Sequence, residues 1–264
     1  MRKVLVIMAK EWSEVFKNRF VLFTVAFLPL ILTALPLIIL GVMARSAEDV
    51  AGLSMADLPS GFADLCGPIT GAECGQFFIV SQFMLLFMMM PLAIPVTIAS
   101  YSIVGEKTTR TLEPLLATPI RTMELLAGKG LAAAIPAIGA TWLGFAIFAV
   151  GVRLLAVGPG VLDRLFDPLW VLAIFVLGPL LALAAVSVAV MVSSRANDPR
   201  VAEQLSMLVI LPLLGLFFGQ VFGLVFLNEE LILWMAVALA AIDAILIAFA
   251  IQLFQRETIL TRWK

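Results

Sequence analysis

No histidine occurs anywhere in the 264 residues, and this absence excludes several kinds of enzyme. Ser-His-Asp and Cys-His catalysis need an imidazole, as do the two-histidine helix of zinc metalloproteases and most catalytic zinc sites. A glycine-rich phosphate loop is also missing. The one Gly-Lys pair, Gly128-Lys129, is followed by Gly130, where that motif needs Ser or Thr. The sequence therefore predicts neither a self-contained enzyme nor an ATPase.

Charge is scarce as well. Only 13% of the residues are charged, against roughly 25% in a typical soluble domain. Hydrophobic residues make up 62% of the chain, and its mean hydropathy is +1.12. A soluble fold of this length has too little interior to bury so much apolar surface. The sequence therefore predicts an integral membrane protein.

Long apolar runs are what the sequence has in abundance. A helix needs about 20 predominantly apolar residues to span the bilayer. Six segments meet this requirement, at about 20–44, 77–103, 130–152, 169–193, 205–227 and 231–253. No stretch alternates like a barrel strand, and lipid admits only helices or closed barrels. We therefore predict an all-α membrane protein with six transmembrane helices in a single domain, 1–264.

The basic residues are distributed unequally between the two sides of this bundle. Of the 17 lysines and arginines, 14 lie in the two termini and in the second and fourth connections, which share one side. Loops rich in Lys and Arg stay in the cytoplasm. Both termini are therefore predicted to be cytoplasmic.

The first 19 residues have the pattern of an amphipathic helix in the membrane interface. Val4, Leu5, Met8, Trp12, Val15 and Phe16 fall within one arc, and Lys3, Lys10, Glu11, Glu14, Lys17 and Asn18 lie opposite. Val6 and Ile7 stand on the polar arc, a position that suits contact with another protein. The pattern leaves two alternatives open, a plain surface anchor or an anchor that also docks a partner.

The loop at 45–76 is the one long segment on the side away from the termini, and it contains both cysteines of the chain. Cys66 and Cys74 are eight residues apart, and an extracytoplasmic location is oxidising. We predict a local disulfide between them; the alternative is two free thiols in a reducing habitat. The acidic residues of this loop indicate a solvated face.

The connection at 104–129, between spans 2 and 3, contains two short helical patterns. Leucines 112, 115 and 116 cluster on one side of a turn, and Thr118-Pro119 is a cap followed by a first-turn proline. Two short helices with an apolar stripe and flanking charges would suit a soluble partner. Composition alone favours an ordinary charged connector.

The precise string favours the first alternative, because it resembles the type-2 ABC transporter permeases, the membrane subunits of prokaryotic ABC exporters. The matching residues are Glu106-Lys107, Thr111-Leu112-Glu113-Pro114-Leu115-Leu116, Thr118-Pro119, Glu124-Leu125-Leu126 and Gly128-Lys129. The chain departs from the family pattern at Thr109-Arg110, where many members carry Glu and Gly. Weaker similarities lie in the N-terminal helix, at 197–205 and at 253–257.

The resemblance implies a division of labour between this chain and a separate ATPase. Segment 105–118 would be the coupling helix, which docks on an ATPase subunit through Glu106, Lys107, Arg110, Thr111, Leu112, Glu113, Leu115 and Leu116. Two ATPase copies would bind ATP and Mg, and two copies of this chain would form the path. The expected location is a prokaryotic plasma (inner) membrane, in contact with lipid and without nucleic acid. This chain itself is expected to bind no cofactor and no metal.

Small and polar residues inside the spans are candidates for the dimer axis and the translocation path. In span 5, Gly215, Gly219 and Gly223 recur every four residues, a spacing that lets helices approach closely, either within one subunit or across a dimer axis. Gln220 lies beside them. Asp243, in the middle of span 6, indicates either a cation or proton site or a helix-to-helix hydrogen bond.

Span 2 is rich in methionine and phenylalanine: Phe83, Met84, Phe87, Met88, Met89 and Met90 precede Pro91 and Pro95. Such side chains form either an adaptable lining for an apolar substrate or a face toward lipid. The prolines predict a kink in this span.

Two rival functions have less support than the exporter subunit. A self-powered secondary transporter or channel would need buried charge pairs, and the sequence offers only Asp243. An intramembrane enzyme is disfavoured, because the chain lacks histidine and has a single carboxylate inside its spans.

Overall fold

The computed structural model describes residues 2–45, 66, 72–108, 120–225 and 227–253. Within these ranges the chain is helical and forms no β-strand, which confirms the predicted all-α class. A π-helical turn, Ala173–Leu177, and a 3-10 turn, Met207–Ile210, interrupt two of the spans. The α-helices are α1 Arg2–Val15, α2 Arg19–Arg45, α3 Ala72–Phe87, α4 Met90–Thr108, α5 Thr122–Leu155, α6 Pro159–Leu165, α7 Pro168–Leu172, α8 Gly178–Arg195, α9 Pro199–Ser206, α10 Leu211–Val221 and α11 Glu229–Leu253.

Six helical segments in the described ranges are long and apolar enough to cross a membrane. Span 1 is α2, span 2 is α3 with α4, span 3 is α5, span 4 runs from α6 to α8, span 5 from α9 to α10, and span 6 is α11. We call the end of the bundle that carries α1 and the end of α11 the terminal end, and the opposite one the distal end.

Span 5 ends earlier than the sequence predicts, at Val221 and not near residue 227. The cause is Gly223, whose φ of 69° is readily adopted only by glycine. The Leu224 amide donates to the Gly219 carbonyl at 2.7 Å and the Gly223 amide to the Gln220 carbonyl at 3.0 Å. These are the two bonds of a Schellman motif, which closes a helix. The predicted stripe of three glycines is therefore wrong for Gly223.

Span 2 is interrupted at Met88 and Met89, just before Pro91, as its prolines predict. For its methionines and phenylalanines the sequence offered two alternatives, a substrate lining or a face toward lipid, and the structure shows a different environment. Met84, Phe87, Met88 and Met90 are all buried within this single chain. They pack the core of the bundle, and the Phe87 ring lies 5.2 Å from that of Phe148 in α5. These four side chains therefore contact protein and not lipid in this structure.

Small residues allow helices to come together around span 2. On α8, Ala182, Ala185 and Ala189 are fully buried, and α8 packs against α4. Because lipid tails are as apolar as the helices, close backbone approach and not water exclusion holds such a pair together. By contrast, α2 and α11 present large apolar side chains outward, including Leu30 and Ile245. These outer faces are suited to lipid.

Two polar side chains of α3, which the sequence reading missed, join several segments at the distal end. The Gln76 amide donates to the carbonyls of Leu40 at 3.5 Å and Leu155 at 3.2 Å, and it accepts from the Val157 amide at 2.8 Å. One turn earlier, Glu73 accepts from the Gly160 amide at 2.9 Å. Gln76 thereby holds spans 1, 2 and 3 together at this end.

Cys66 and Cys74 lie next to this region with their Cα atoms 5.7 Å apart, in the arrangement of a disulfide. Both are fully buried and pack against Phe77.

Closing a loop of this length with a disulfide is expected to contribute about 2–3 kcal/mol to the free energy of unfolding. We therefore expect a reductant to lower the thermal midpoint of the full chain in lipid nanodiscs. The double variant Cys66→Ser/Cys74→Ser serves as the control, since it should not respond; an unresponsive parent chain would contradict the pairing.

Candidate functional site

Three charged side chains from three different helices meet in the interior of the terminal end. The Lys129 ammonium, on α5, lies 2.7 Å from a carboxylate oxygen of Glu11 on α1. It lies 2.8 Å from a carboxylate oxygen of Glu106 on α4. The exposed fractions are only 1% for Glu11 and 5% for Glu106 and Lys129. Charges so deeply buried are stable only when they are paired, so these helices are held in one arrangement.

Two further residues complete what we call the charge cluster: Lys10, Glu11, Ser102, Glu106 and Lys129. The Lys10 ammonium pairs with Glu106 and lies 3.4 Å from Glu11. Lys129 donates to the Ser102 hydroxyl oxygen at 2.8 Å, and that hydroxyl donates to Glu11. Two ammonium groups thus balance two carboxylates within the cluster.

The cluster keeps two of its members, Glu11 and Lys10, ionised. Burial by itself raises the pKa of the Glu11 carboxyl, but the Lys129 ammonium and the Ser102 hydrogen bond outweigh it, so this pKa lies below its usual value. Partial burial acts to lower the pKa of Lys10, but its hydrogen bond to Glu106 and the nearby carboxylates raise it above the usual range. Both groups are therefore charged at neutral pH.

The sequence positions α1 for these contacts through a single helical face. Residues 3, 7, 10, 11 and 14 recur at helical spacing and share one side of α1. Ile7 packs on Gly128 of α5. A Cβ atom added to Gly128 would lie only 2.7 Å from the Cγ2 atom of Ile7. Lys3 reaches Glu124 at 3.6 Å.

These contacts correct the predicted roles of the two arcs of α1. The arc predicted to face water contains Ile7 and Glu11, both of which are buried against the protein's own α5. The partner expected for Ile7 is therefore within the same chain. On the predicted apolar arc, Leu5 and Phe16 are largely exposed, as an interfacial helix requires. Val6 is also exposed.

The charge cluster adjoins segment 105–118, which is predicted to dock a partner. Glu106 lies at the start of this segment and Lys129 lies beyond its end, near the start of α5, and the two are tied to α1 through Lys10 and Glu11 respectively. For Glu106 the structure corrects the prediction of a docking contact, since its carboxylate is buried and paired within the chain. Lys107 donates to the Ala196 carbonyl at 3.0 Å, after the end of α8. The other predicted docking residues lie outside the described ranges: Arg110, Thr111, Leu112, Glu113, Leu115 and Leu116.

The two carboxylates of the cluster, together with the neighbouring Glu14, also resemble a cation site. Glu11, Glu14 and Glu106 bring oxygen atoms within 4.8 Å of one another. However, the Lys10 ammonium contacts all three, at 3.4 Å from Glu11, at 3.3 Å from Glu14 and in a close pair with Glu106. The positive charge that a metal ion would supply is thus already present, and these residues do not fit a metal centre.

Comparison with known families agrees with the resemblance drawn from the segment at 106–129. A family model described as "ABC-2 family transporter protein" matches residues 5–233, a range that includes the charge cluster and five complete spans. The chain belongs to the ABC-2 transporter family. It is accordingly a multi-pass membrane subunit of an ABC transporter, a type of subunit that generally lacks an ATPase site and works with an ABC ATPase. No curated protein matches the chain.

A second polar site of this ABC-2 subunit opens between α4 and span 5, toward the terminal end. A cavity of about 580 Å³ is lined by Tyr101, Arg200, Glu203, Gln204 and Met207. On its inner side the Thr97 hydroxyl donates to Glu203 at 2.6 Å. The sequence reading did not find this site, since its residues come from two segments about 100 positions apart.

The remaining predicted path residues of the ABC-2 subunit lie in separate places. Gly215 is exposed on α10, and a Cβ atom added to it would meet no atom within 4 Å, while one at Gly219 would approach Val225 at 3.2 Å. Gln220 is buried at the distal end. Asp243 is buried in α11, and neither of its oxygens has a hydrogen-bond partner among the described residues. The helix-to-helix hydrogen bond offered for Asp243 is thus not found there.

Proposed function

We propose that this chain is the permease subunit of an ATP-driven exporter. Two copies would form the translocation path, and two copies of a separate ATPase subunit would bind ATP and Mg and dock on segment 105–118. ABC-2 membership supports the transporter and its ATPase partner. The exporter direction and the prokaryotic plasma membrane rest on the resemblance. The cytoplasmic termini are supported by the 14 basic residues on that side.

The observation that carries the coupling role is the charge cluster. Glu106 lies at the start of the docking segment, Lys129 lies beyond its end on α5, and the two side chains are joined to each other at 2.8 Å. The Glu11 carboxylate lies 2.7 Å from the Lys129 ammonium, so α1 is linked to α4 and α5 through the same cluster. Because these pairs are buried, separating them costs several kcal/mol. A displacement of the segment by an ATPase is therefore transmitted to α1, α4 and α5 together.

A second copy of the chain is proposed to cover the outer side of span 5. Its exposed apolar residues recur at helical spacing from α9 to α10: Val201, Leu205, Leu208, Leu211 and Phe218. Gly215 on the same helix leaves room for close approach. The neighbouring cavity contains Arg200 and Glu203, and charged groups are costly when they face lipid tails. A dimer would enclose this cavity beside the path.

The docking role is tested with the variant Leu112→Asp/Leu115→Asp. Two carboxylates in an apolar contact leave buried charge unpaired, so we expect binding of the ATPase to fall at least about tenfold. Co-purification with the partner ABC ATPase subunit measures the effect. The thermal midpoint of the bundle should stay unchanged.

The control places one such carboxylate at the other end of the molecule. Val157 is 47% exposed at the distal end, and Val157→Asp should retain the ATPase. Full binding by the double leucine variant would contradict the docking segment. Transport that continues without ATP would contradict the exporter proposal as a whole.

A further inference from the structure

Asp243 is a buried acidic residue that has no part in the contacts between α1, α4 and α5. It lies near the middle of α11, with about 15 Å of helix between it and Leu253. Only 4% of the residue is exposed. Neither carboxyl oxygen is accessible to solvent, and neither has a hydrogen-bond partner among the described residues. Buried polar groups in folded proteins nearly always have a partner, so this carboxyl needs a physical explanation.

The described helices around Asp243 offer it no counter-charge. Its helix, α11, packs mainly against α8, and also against α7, the π-helical turn and α5. Neither α7 nor the π-helical turn contains a charged residue. The charged residues of the other helices all stand near the helix ends: Glu124, Lys129 and Arg153 on α5, Arg195 on α8, and Glu229 and Glu230 on α11. The middle of α11 is therefore surrounded by uncharged side chains.

An ionised carboxylate is strongly unfavourable in such a place. Moving an isolated carboxylate from water into an apolar interior costs so much that the group takes up a proton instead. The bilayer strengthens this effect, because α11 also turns large apolar side chains outward, among them Trp234 and Ile245. Lipid and not water then surrounds the helix, and a charge at this depth has no solvent to stabilise it.

The geometry leaves room for no ligand larger than a proton. Because neither oxygen has accessible surface, a lipid head group or a side chain of a second copy cannot contact it. Ile247, one turn later, lines a cavity of about 300 Å³ that is apolar apart from Ser187, and Asp243 is not part of that lining. A metal cation needs several oxygen ligands. However, α11 is continuous and has no proline or glycine, so its central carbonyls are used in the helix itself.

We propose that Asp243 is a proton-binding site, so that span 6 contains a neutral carboxylic acid at neutral pH. The proton turns one carboxyl oxygen from an acceptor into a donor. A hydroxyl in this position can donate to a main-chain carbonyl of the preceding turn, as Ser and Thr do in helices. Asp243 thus differs from Glu11 and Glu106, which are balanced by Lys10 and Lys129. A proton supplies the positive charge that the helices around Asp243 lack.

Infrared spectroscopy of the full chain tests this proposal, because a carboxylic acid and a carboxylate absorb at different frequencies. The chain is placed in nanodiscs of ether-linked phosphatidylcholine, since ester carbonyls of ordinary lipids absorb in the same region as the acid. At neutral pH, Asp243→Asn should lose one carboxylic-acid band that the parent chain shows. Carbon-13 in the aspartate side-chain carboxyls should shift that band in the parent chain. No ATPase and no transport are needed, so the result is independent of the exporter and docking proposals.

Asp167→Asn is the matched control. The Asp167 carboxylate lies 3.6 Å from Arg164 and is about one-third exposed, so its replacement should remove a carboxylate band and leave the acid band unchanged. If Asp243→Asn fails to fold, the carbon-13 shift decides the question in the parent chain alone. Loss of a carboxylate band in Asp243→Asn would overturn the proposal. So would a parent chain without an acid band, or an acid band that labelled aspartate does not shift.

Discussion

Replacing Lys129 by methionine is expected to lower the free energy of unfolding by about 3–5 kcal/mol. The substitution removes the ammonium that lies 2.7 Å from Glu11 and 2.8 Å from Glu106. Both carboxylates stay buried, and only Lys10 remains to balance them. Methionine has a similar volume, so the loss reports charge and not packing. The thermal midpoint and a denaturant titration of the full chain in nanodiscs measure it.

Two comparisons separate this effect from a general response to losing a lysine. Lys3→Met breaks the ion pair with Glu124, whose atoms are 3.6 Å apart with Lys3 half exposed, and should cost no more than about 1 kcal/mol. Exchanging the charges, Glu11→Lys with Lys129→Glu, should recover part of the loss, because the balance of the cluster is restored. A Lys129→Met protein as stable as Lys3→Met would show that the cluster does not hold the helices.

A single methyl group at Gly128 is expected to displace α1. The added carbon would lie 2.7 Å from Cγ2 and 2.8 Å from Cβ of Ile7, and the latter atom cannot move without the helix. Overpacking of this kind costs roughly 1–3 kcal/mol. We expect Gly128→Ala to lower the thermal midpoint and to speed hydrogen exchange in α1, since the next residue, Lys129, is pulled from Glu11.

The double variant Ile7→Gly/Gly128→Ala should restore part of the protection of α1, because it removes both the Cγ2 and the Cβ atom that the added methyl group meets. Gly139→Ala is the control on the same helix. No atom lies within 4 Å of its added carbon, so it should be neutral or stabilise by up to about 1 kcal/mol. Equal hydrogen exchange of α1 in Gly128→Ala and Gly139→Ala would refute the close contact.

The six spans and the family could be predicted from the sequence because both are local signals. Span length follows from runs of about 20 apolar residues, and the string at 106–129 stands in one segment. The charge cluster could not be predicted in this way. Glu11 and Lys129 are 118 positions apart, and the polar face of an interfacial helix is indistinguishable in sequence from one that binds protein.

Burial inside the bundle was equally hidden from the sequence. Met84 and Phe87 of span 2 suit lipid, substrate or protein alike, because all three surroundings are apolar. The periodicity that suggested a glycine stripe ignored helix termination, and Gly223 closes α10 instead of continuing it. One feature of the sequence did indicate a buried face on α1: the apolar Ile7 shares the helical spacing of Lys3, Lys10, Glu11 and Glu14.

The composition of the charge cluster has an electrical consequence. Moving one elementary charge across a membrane potential of 100 mV involves about 2.3 kcal/mol of work. Lys10 and Lys129 carry two positive charges, and Glu11 and Glu106 carry two negative ones. When these residues move together as one body, the field does no net work on them. The voltage across the membrane therefore neither drives nor opposes their displacement.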